Sequence, residues 1–277
     1  MRIQLFSDLH LERYPDFQPH FAAGVDVIVL AGDIGSYQPG SRLKSVDFGL
    51  ERFSPLRPGA SGAKVLYVPG NHEFDALDFD ETTTRLRETC DRLGITWLDR
   101  EVVTLGGVRF VGTTLWTDFE ALVDRGSSMT KQLQSLTKAY RAANYYLSKN
   151  TTLKAGQPVL AEGIRAMSLD CRAWLREALS VPFDGPTVAV THFAPSLLSA
   201  DPRYGLTPGT AGFCNALDDL FPFADVWMHG HLHCMNDYVA KGANDGKPWA
   251  CRVVANPLGY LSKGEQEAFR ENLVIEL

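Results

Sequence analysis

Five short polar clusters carry the chemistry of this 277-residue chain. In order they are Asp8-Leu9-His10, Gly32-Asp33, Gly70-Asn71-His72-Glu73, Thr191-His192 and Gly230-His231-Leu232-His233. They offer Asp8, His10, Asp33, Asn71, His72, His192, His231 and His233 as candidate site residues. Carboxylate oxygen, amide oxygen and imidazole nitrogen, without thiolate, form a donor set that suits Mn²⁺, Fe²⁺, Zn²⁺ or Mg²⁺. There are more donors than one ion can take. Divided between two ions ~3.5–4 Å apart, they would clamp a phosphate and activate water. A histidine taken singly is more often a core or surface residue than a ligand. Only the convergence of several clusters reverses that for His10, His72, His192, His231 and His233. It does not do so for His20, which lies in a loop between prolines and aromatics and reads as structural. If its strand continues, His229 points away from His231 and reads as a buried support. Asp26 and Asp225 open strands and shape turns, and Glu73 either orients His72 or is simply hydrogen-bonded nearby.

Each cluster follows a short apolar run. Arg2–Phe6, Val25–Ala31, Lys64–Val68, Thr187–Val190 and Val226–Met228 are all short and apolar enough to be strands buried on both faces. Ligands of open α/β sheets bind beyond the carboxyl ends of strands, so residues far apart in sequence can meet there. Helical patterns lie between several of these runs: Thr82–Leu93, closing at Gly94, and Ala161–Leu179 with a stripe of apolar residues. Alternation of strand and helix predicts a layered α/β fold. Val102–Leu105 and Val108–Thr113 flank Gly106-Gly107 and predict a tight hairpin. Late strand-like runs at Tyr238–Ala240, Arg252–Ala255 and Leu273–Leu277 predict a second, more antiparallel sheet. The stretch 117–157 lacks metal-type clusters and reads as a helical insertion over the core of a single domain spanning 1–277. Such an insertion would act as a lid that governs substrate choice.

Composition narrows the field. Net charge is -6 and hydrophobic residues make up 45% of the chain, an ordinary balance for a folded soluble protein. No apolar run approaches the ~20 residues that would span a bilayer, and the opening residues lack the pattern of a secretory leader. The expectation is a cytoplasmic protein with no membrane partner. The acidic balance provides no basic footprint for nucleic acid, although bound metals would put positive charge where phosphate must sit. Five widely spaced cysteines, without a C-x-x-C pair, read as reduced thiols. Among them Cys234, beside His233, is the one nearest the clusters.

The five clusters, in this order, resemble the signature of the calcineurin-like metallophosphoesterase superfamily: D-x-H, G-D, G-N-H-[ED], a lone histidine and G-H-x-H. Thr191–Ser196, Gly112–Phe119 and Asn256-Pro257 with Gly259-Tyr260 also resemble segments of bacterial members, with Trp116 and Tyr260 as core or wall. The resemblance implies an α/β/β/α sandwich of two mixed sheets flanked by helices. It implies one metal held by Asp8, His10, Asp33 and His233, and a second held by Asp33, Asn71, His192 and His231. Asp33 would bridge the pair, with Mn²⁺ the first choice and Fe, Zn or Mg as alternatives. His72 would bind no metal and would protonate the leaving oxygen while hydroxide from the bridging water attacks phosphorus in line. The second aspartate and the arginine that mark protein phosphatases after this G-D are absent, as is their arginine downstream of Glu73. That argues against a phosphoprotein substrate and leaves open what orients His72. The expected substrate is a small phosphomonoester or phosphodiester. The alternatives are a nuclease of the same superfamily and a non-catalytic metal-binding scaffold.

Overall fold

The computed structural model describes residues 1–277. In chain order its strands and long helices are β1 (Arg2–Phe6), β2 (Val27–Ala31), β3 (Lys64–Val68), α1 (Phe79–Leu93), β4 (Thr96–Trp97), β5 (Glu101–Leu105) and β6 (Val108–Thr113). There follow α2 (Met129–Leu147), β7 (Leu153–Lys154), β8 (Gln157–Pro158), α3 (Ala161–Ser180), β9 (Thr187–Thr191), β10 (Val226–His229), β11 (Asn236–Asn244), β12 (Lys247–Ala255) and β13 (Val274–Glu276). One sheet has the order β13-β1-β2-β3-β4 and the other β11-β12-β10-β9-β6-β5. The strands that carry the clusters run parallel within each sheet: β1 beside β2 and β2 beside β3, β9 beside β6 and β10.

Period-two burial explains why these runs are apolar throughout. Ile3, Leu5, Val27, Val29, Leu66 and Val68 meet Val108, Phe110, Val188, Val190, Val226 and Met228 in the layer between the sheets. The intervening residues, among them Phe6, Ile28, Leu30, Val65, Tyr67, Val111, Ala189 and Trp227, pack outward against helices and loops. A strand covered on both faces has no polar side to display. The result is the expected layered sandwich of two mixed sheets with helices outside.

The sequence placed α1 three residues too late. Asp78 caps it, its carboxylate accepting from the amides of Asp80 and Glu81, and Gly94 closes it in the left-handed conformation. The threonine cluster therefore lies inside the first turns, where Thr83 and Thr84 hydroxyls donate to carbonyls four residues back. The Gly106-Gly107 hairpin forms as expected, with both glycines at positive φ. The late strands do not form a separate antiparallel sheet. β11 and β12 pair antiparallel with each other, but β12 joins β10 in the second sheet, while β13 returns to pair with β1 in the first. β11 and β13 are edge strands and β12 lies between β11 and β10, and nothing in these short runs reveals which sheet receives them. The segment 117–157 carries α2, which buries only Ala139 completely and lies against α3 and the turn Pro208–Gly212. No helix is long and apolar enough to cross a membrane.

Candidate metal centre

The loops at the carboxyl ends of the parallel strands converge, and all eight candidate residues meet there. Asp8 and His10 follow β1, Asp33 follows β2, Asn71 and His72 follow β3, His192 follows β9, and His231 and His233 follow β10. Backbone bonds stitch neighbouring loops together within each sheet. The Asp8 amide donates to the Gly32 carbonyl at 3.0 Å and the Gly230 amide to the His192 carbonyl at 3.0 Å. Asp8, His10, Asp33, His231 and His233 all have positive φ, a region that residues other than glycine seldom occupy. Strain of this kind persists where the surrounding structure enforces it, and it gathers at functional sites. Two glycines admit the close approach: a Cβ on Gly70 would lie 2.1 Å from Asp33 Oδ1, and one on Gly230 would lie 2.6 Å from Asp8 Oδ2.

Two groups of side chains could each hold a cation. The ligand-type atoms of Asp8, His10, Asp33 and His233 lie within 4.8 Å of one another, and so do those of Asp33, His192 and His231. Asp33 belongs to both. Asn71 Oδ1 lies 3.2 Å from His192 Nε2, which brings the amide to the second group. His72 belongs to neither group, although its Nε2 lies 3.9 Å from Asp33 Oδ2. His231 Nε2 is sealed from solvent with no hydrogen-bond partner, and the equally sealed Asp33 Oδ2 has His192 Nε2 as its neighbour at 3.2 Å. A buried acceptor without a donor costs about 1–3 kcal/mol, and a cation would satisfy both atoms. The far nitrogens of the other imidazoles are already engaged: His10 Nδ1 with Glu12 at 3.1 Å, His233 Nδ1 with Glu265 at 2.6 Å, and His192 Nδ1 with the Ala31 carbonyl at 2.8 Å. Such partners set the tautomer that turns Nε2 toward a metal.

Electrostatics point the same way. Burial alone would lower the pKa of His192, but the charge and hydrogen bond of Asp33 carry it to about 9. For His233, burial is likewise outweighed by the hydrogen bonds to Asp8 and Glu265, again to about 9. Burial would raise Asp8, yet His233 holds it down at about 2. Burial and then the neighbouring His192 hold His231 well below the usual imidazole range, so the ring is neutral and keeps one nitrogen lone pair for a cation. His10 Nε2 faces His233 Nε2 at 2.9 Å, so a proton shared between them stands where a cation can bind.

The remaining histidines and the aromatics take other roles. His229 is fully buried, accepts from or donates to Ser199 Oγ at 3.0 Å and contacts the Gly230 carbonyl, so it braces the loop from behind. His20 is exposed and pairs with Glu271 far from the pocket. Glu73 does not touch His72. Its carboxylate accepts from the backbone amides of Asp33, Ile34 and Gly70, and burial followed by the charge of Asp33 raises its pKa to about 7. Trp116 is core, whereas Tyr260 walls the pocket by stacking on His10, ring centroids 4.4 Å apart. Phe193 and Phe213 cover His231 at 3.9 and 5.2 Å between centroids. Cys234 contacts the Met235 carbonyl and belongs to neither cation group.

Sequence reasoning missed three carboxylates. Asp75 takes the hydrogen bond of His72 Nδ1, Glu12 that of His10 and Glu265 that of His233. Glu12 and Asp75 lie two and three residues beyond their histidines, a spacing that could have signalled them. Glu265 opens a short helical turn 32 residues beyond His233 and left no such sign.

The sequence model of the calcineurin-like phosphoesterase family matches residues 1–235. The chain belongs to this family. It is a metallophosphoesterase, a hydrolase that acts on phosphate esters with the help of divalent metal ions. An uncharacterised protein of Acanthamoeba polyphaga mimivirus is 23% identical over 292 residues, covering 94% of this chain and 92% of its own. The crystal structure of a phosphopantetheinyl hydrolase from Mycobacterium tuberculosis shares the fold, with a TM-score of 0.63 at 21% identity over 96% of this chain and 92% of its own.

Proposed function

We propose that this metallophosphoesterase hydrolyses a small phosphate monoester or diester at a two-metal centre. Asp8, His10, Asp33 and His233 would hold one ion and Asp33, Asn71, His192 and His231 the other. The observation that carries the reading is the membership of Asp33 in both cation groups, with its carboxylate buried among their imidazoles. Two bound cations would neutralise phosphate charge and lower the pKa of water enough to make it a nucleophile near neutral pH. Mn²⁺ is the first choice, and the oxygen and imidazole donors also admit Fe, Zn or Mg.

His72 supplies the proton for the leaving oxygen. Burial opposes its charge, but Asp75 and then Asp33 raise its pKa well above the usual imidazole range, so the resting ring holds a proton on each nitrogen. Nδ1 is engaged by Asp75, which leaves Nε2, the nitrogen nearer Asp33, to donate. The rings of Tyr260, Phe193 and Phe213 flank the site, packed on His10 and His231.

Residues 1–277 act in this reading as one catalytic unit, with the segment 117–157 as a lid over its edge that selects substrates. The net charge of -6 favours a compact substrate over a polyanion. Five unpaired thiols, four of them buried, suit a reducing compartment such as the cytoplasm. The name of the Mycobacterium tuberculosis protein makes a phosphopantetheine ester an early substrate to test.

The test is a panel of phosphomonoesters, phosphodiesters and oligonucleotides, assayed with added Mn²⁺ and again after chelation. Metal-dependent turnover of a small ester, abolished in Asp33→Asn, is the expected result. Turnover of oligonucleotides alone would make the protein a nuclease, and no turnover of any ester would make it a scaffold.

A further inference from the structure

A chain of hydrogen bonds runs behind the pocket and connects His10 to His72 through the inserted segment. Glu12 Oε1, which pairs with His10 Nδ1, accepts from Gln38 Nε2 at 3.4 Å. Asn150 Nδ2 reaches Gln38 Oε1 at 3.3 Å and Asp75 Oδ2 at 2.8 Å. That same Asp75 oxygen takes the hydrogen bond of His72 Nδ1. Asn150 is delivered there by backbone pairing. The Ala76 amide donates to the Thr151 carbonyl at 2.9 Å and the Leu153 amide to the Leu77 carbonyl at 2.8 Å. Asp75 itself is buried and forms a bridge with Thr152.

We propose that Asp75 and Asn150 form the positioning unit that aims His72, so that the inserted segment helps to align the acid. Physical chemistry gives each a task. An imidazole ring held by nothing can turn; a carboxylate on Nδ1 fixes its orientation and leaves Nε2–H toward the reaction. An aspartate carboxylate rotates in a broad, roughly two-fold torsional well. One hydrogen bond does not set its plane, and the amide of Asn150 provides the second. The missing aspartate after Gly32-Asp33 is thereby replaced from a different place in the chain: three residues beyond the histidine, clamped from residue 150.

The inference rests on His72 being the general acid, and the experiment separates the two claims. His72→Asn, Asp75→Asn, Asn150→Ala and the two double variants in the His72→Asn background are loaded with Mn²⁺. Each is then assayed on an alkyl ester and a nitrophenyl ester of phosphate. Asp75→Asn should lower kcat on the alkyl ester roughly 10- to 100-fold, the scale of a displaced reacting group. KM and metal content should hold, and the nitrophenyl ester, whose leaving group needs no proton, should be much less affected. Asn150→Ala should show the same pattern with a smaller fall, of about tenfold or less. Both changes should be silent once His72 is already Asn. If His72→Asn itself leaves kcat unchanged, the acid assignment fails and this inference with it. If His72→Asn lowers kcat while the other two add to it, or slow both esters equally, only the positioning role is overturned. Should Asp75→Asn fail to fold, the Asn150 cycle decides by the same criteria.

Discussion

Replacing Gly70 with alanine tests whether the position of Asp33 is what the pocket depends on. The new methyl would lie 2.1 Å from Asp33 Oδ1 and 2.5 Å from the Asp33 amide nitrogen, where an ordinary contact needs roughly 3.4 Å. The carboxylate must therefore retreat by about 1.3 Å, because the amide nitrogen leaves the methyl no space on the other side. Oδ1 also accepts from the His72 amide at 2.8 Å, so the same displacement loosens the loop that carries Asn71 and His72. Overpacking a tight site costs about 1–3 kcal/mol, which leaves the protein folded but with a lower melting temperature. Misplacing a reacting group by about 1 Å costs on the order of 10²-fold in rate, and kcat/KM should fall by that much with Mn²⁺ at saturation. Metal content by mass spectrometry and turnover of a small phosphate ester are the readouts. Gly209→Ala is the control, since its methyl would meet nothing nearer than Thr207 Oγ1 at 3.6 Å. A Gly70→Ala protein with wild-type turnover and metal content would refute the idea that Asp33 is held in place by a backbone stripped of its side chain.

Asp33→Asn keeps the size of the residue common to both cation groups and removes its charge, so both metals and all activity should be lost while circular dichroism stays native; retention of either metal at full occupancy would contradict the proposed shared role. His72→Asn should lower kcat by about 10²–10⁴-fold, most for alkoxide leaving groups, with metal content unchanged; loss of metal would recast His72 as a ligand. Metal affinity should depend on pH with a definite sign. His192 and His233 hold their protons up to about pH 9, so each must lose one before it can bind a cation. Apparent affinity therefore rises with pH towards 9 and falls below it, roughly tenfold per unit for each proton displaced. Titration calorimetry in buffers of different ionisation enthalpy counts those protons, and affinity independent of pH between about 6 and 8 would sink the argument.

The chemistry of this protein is written in short range. The D-x-H, G-N-H-E and G-H-x-H clusters name donor atoms, and the apolar runs before them name buried strands, because a strand covered on both faces admits few polar residues. Parallel strands then bring their carboxyl ends together, so the convergence of Asp8, Asp33, Asn71, His192 and His231 is legible in the sequence alone. Helix α1 could be read but its start was displaced, since the threonines looked like the cap while Asp78 made the bonds. Sheet membership of the late strands lay beyond the sequence: β13 pairs with β1 across nearly the whole chain, and nothing local marks a partner so remote. The same limit applies to the groups behind the pocket. Asp75 and Glu12 sit near their histidines in sequence, yet a carboxylate two or three residues away is common and carries no message until the backbone bends it inward. Glu265 and Asn150 have no signal of their own, because their contacts with His233 and Asp75 depend on loops from distant parts of the chain packing together. Short-range pattern thus determined which atoms could bind and react. Tertiary packing decided which neighbours fix their tautomers, their protons and their aim.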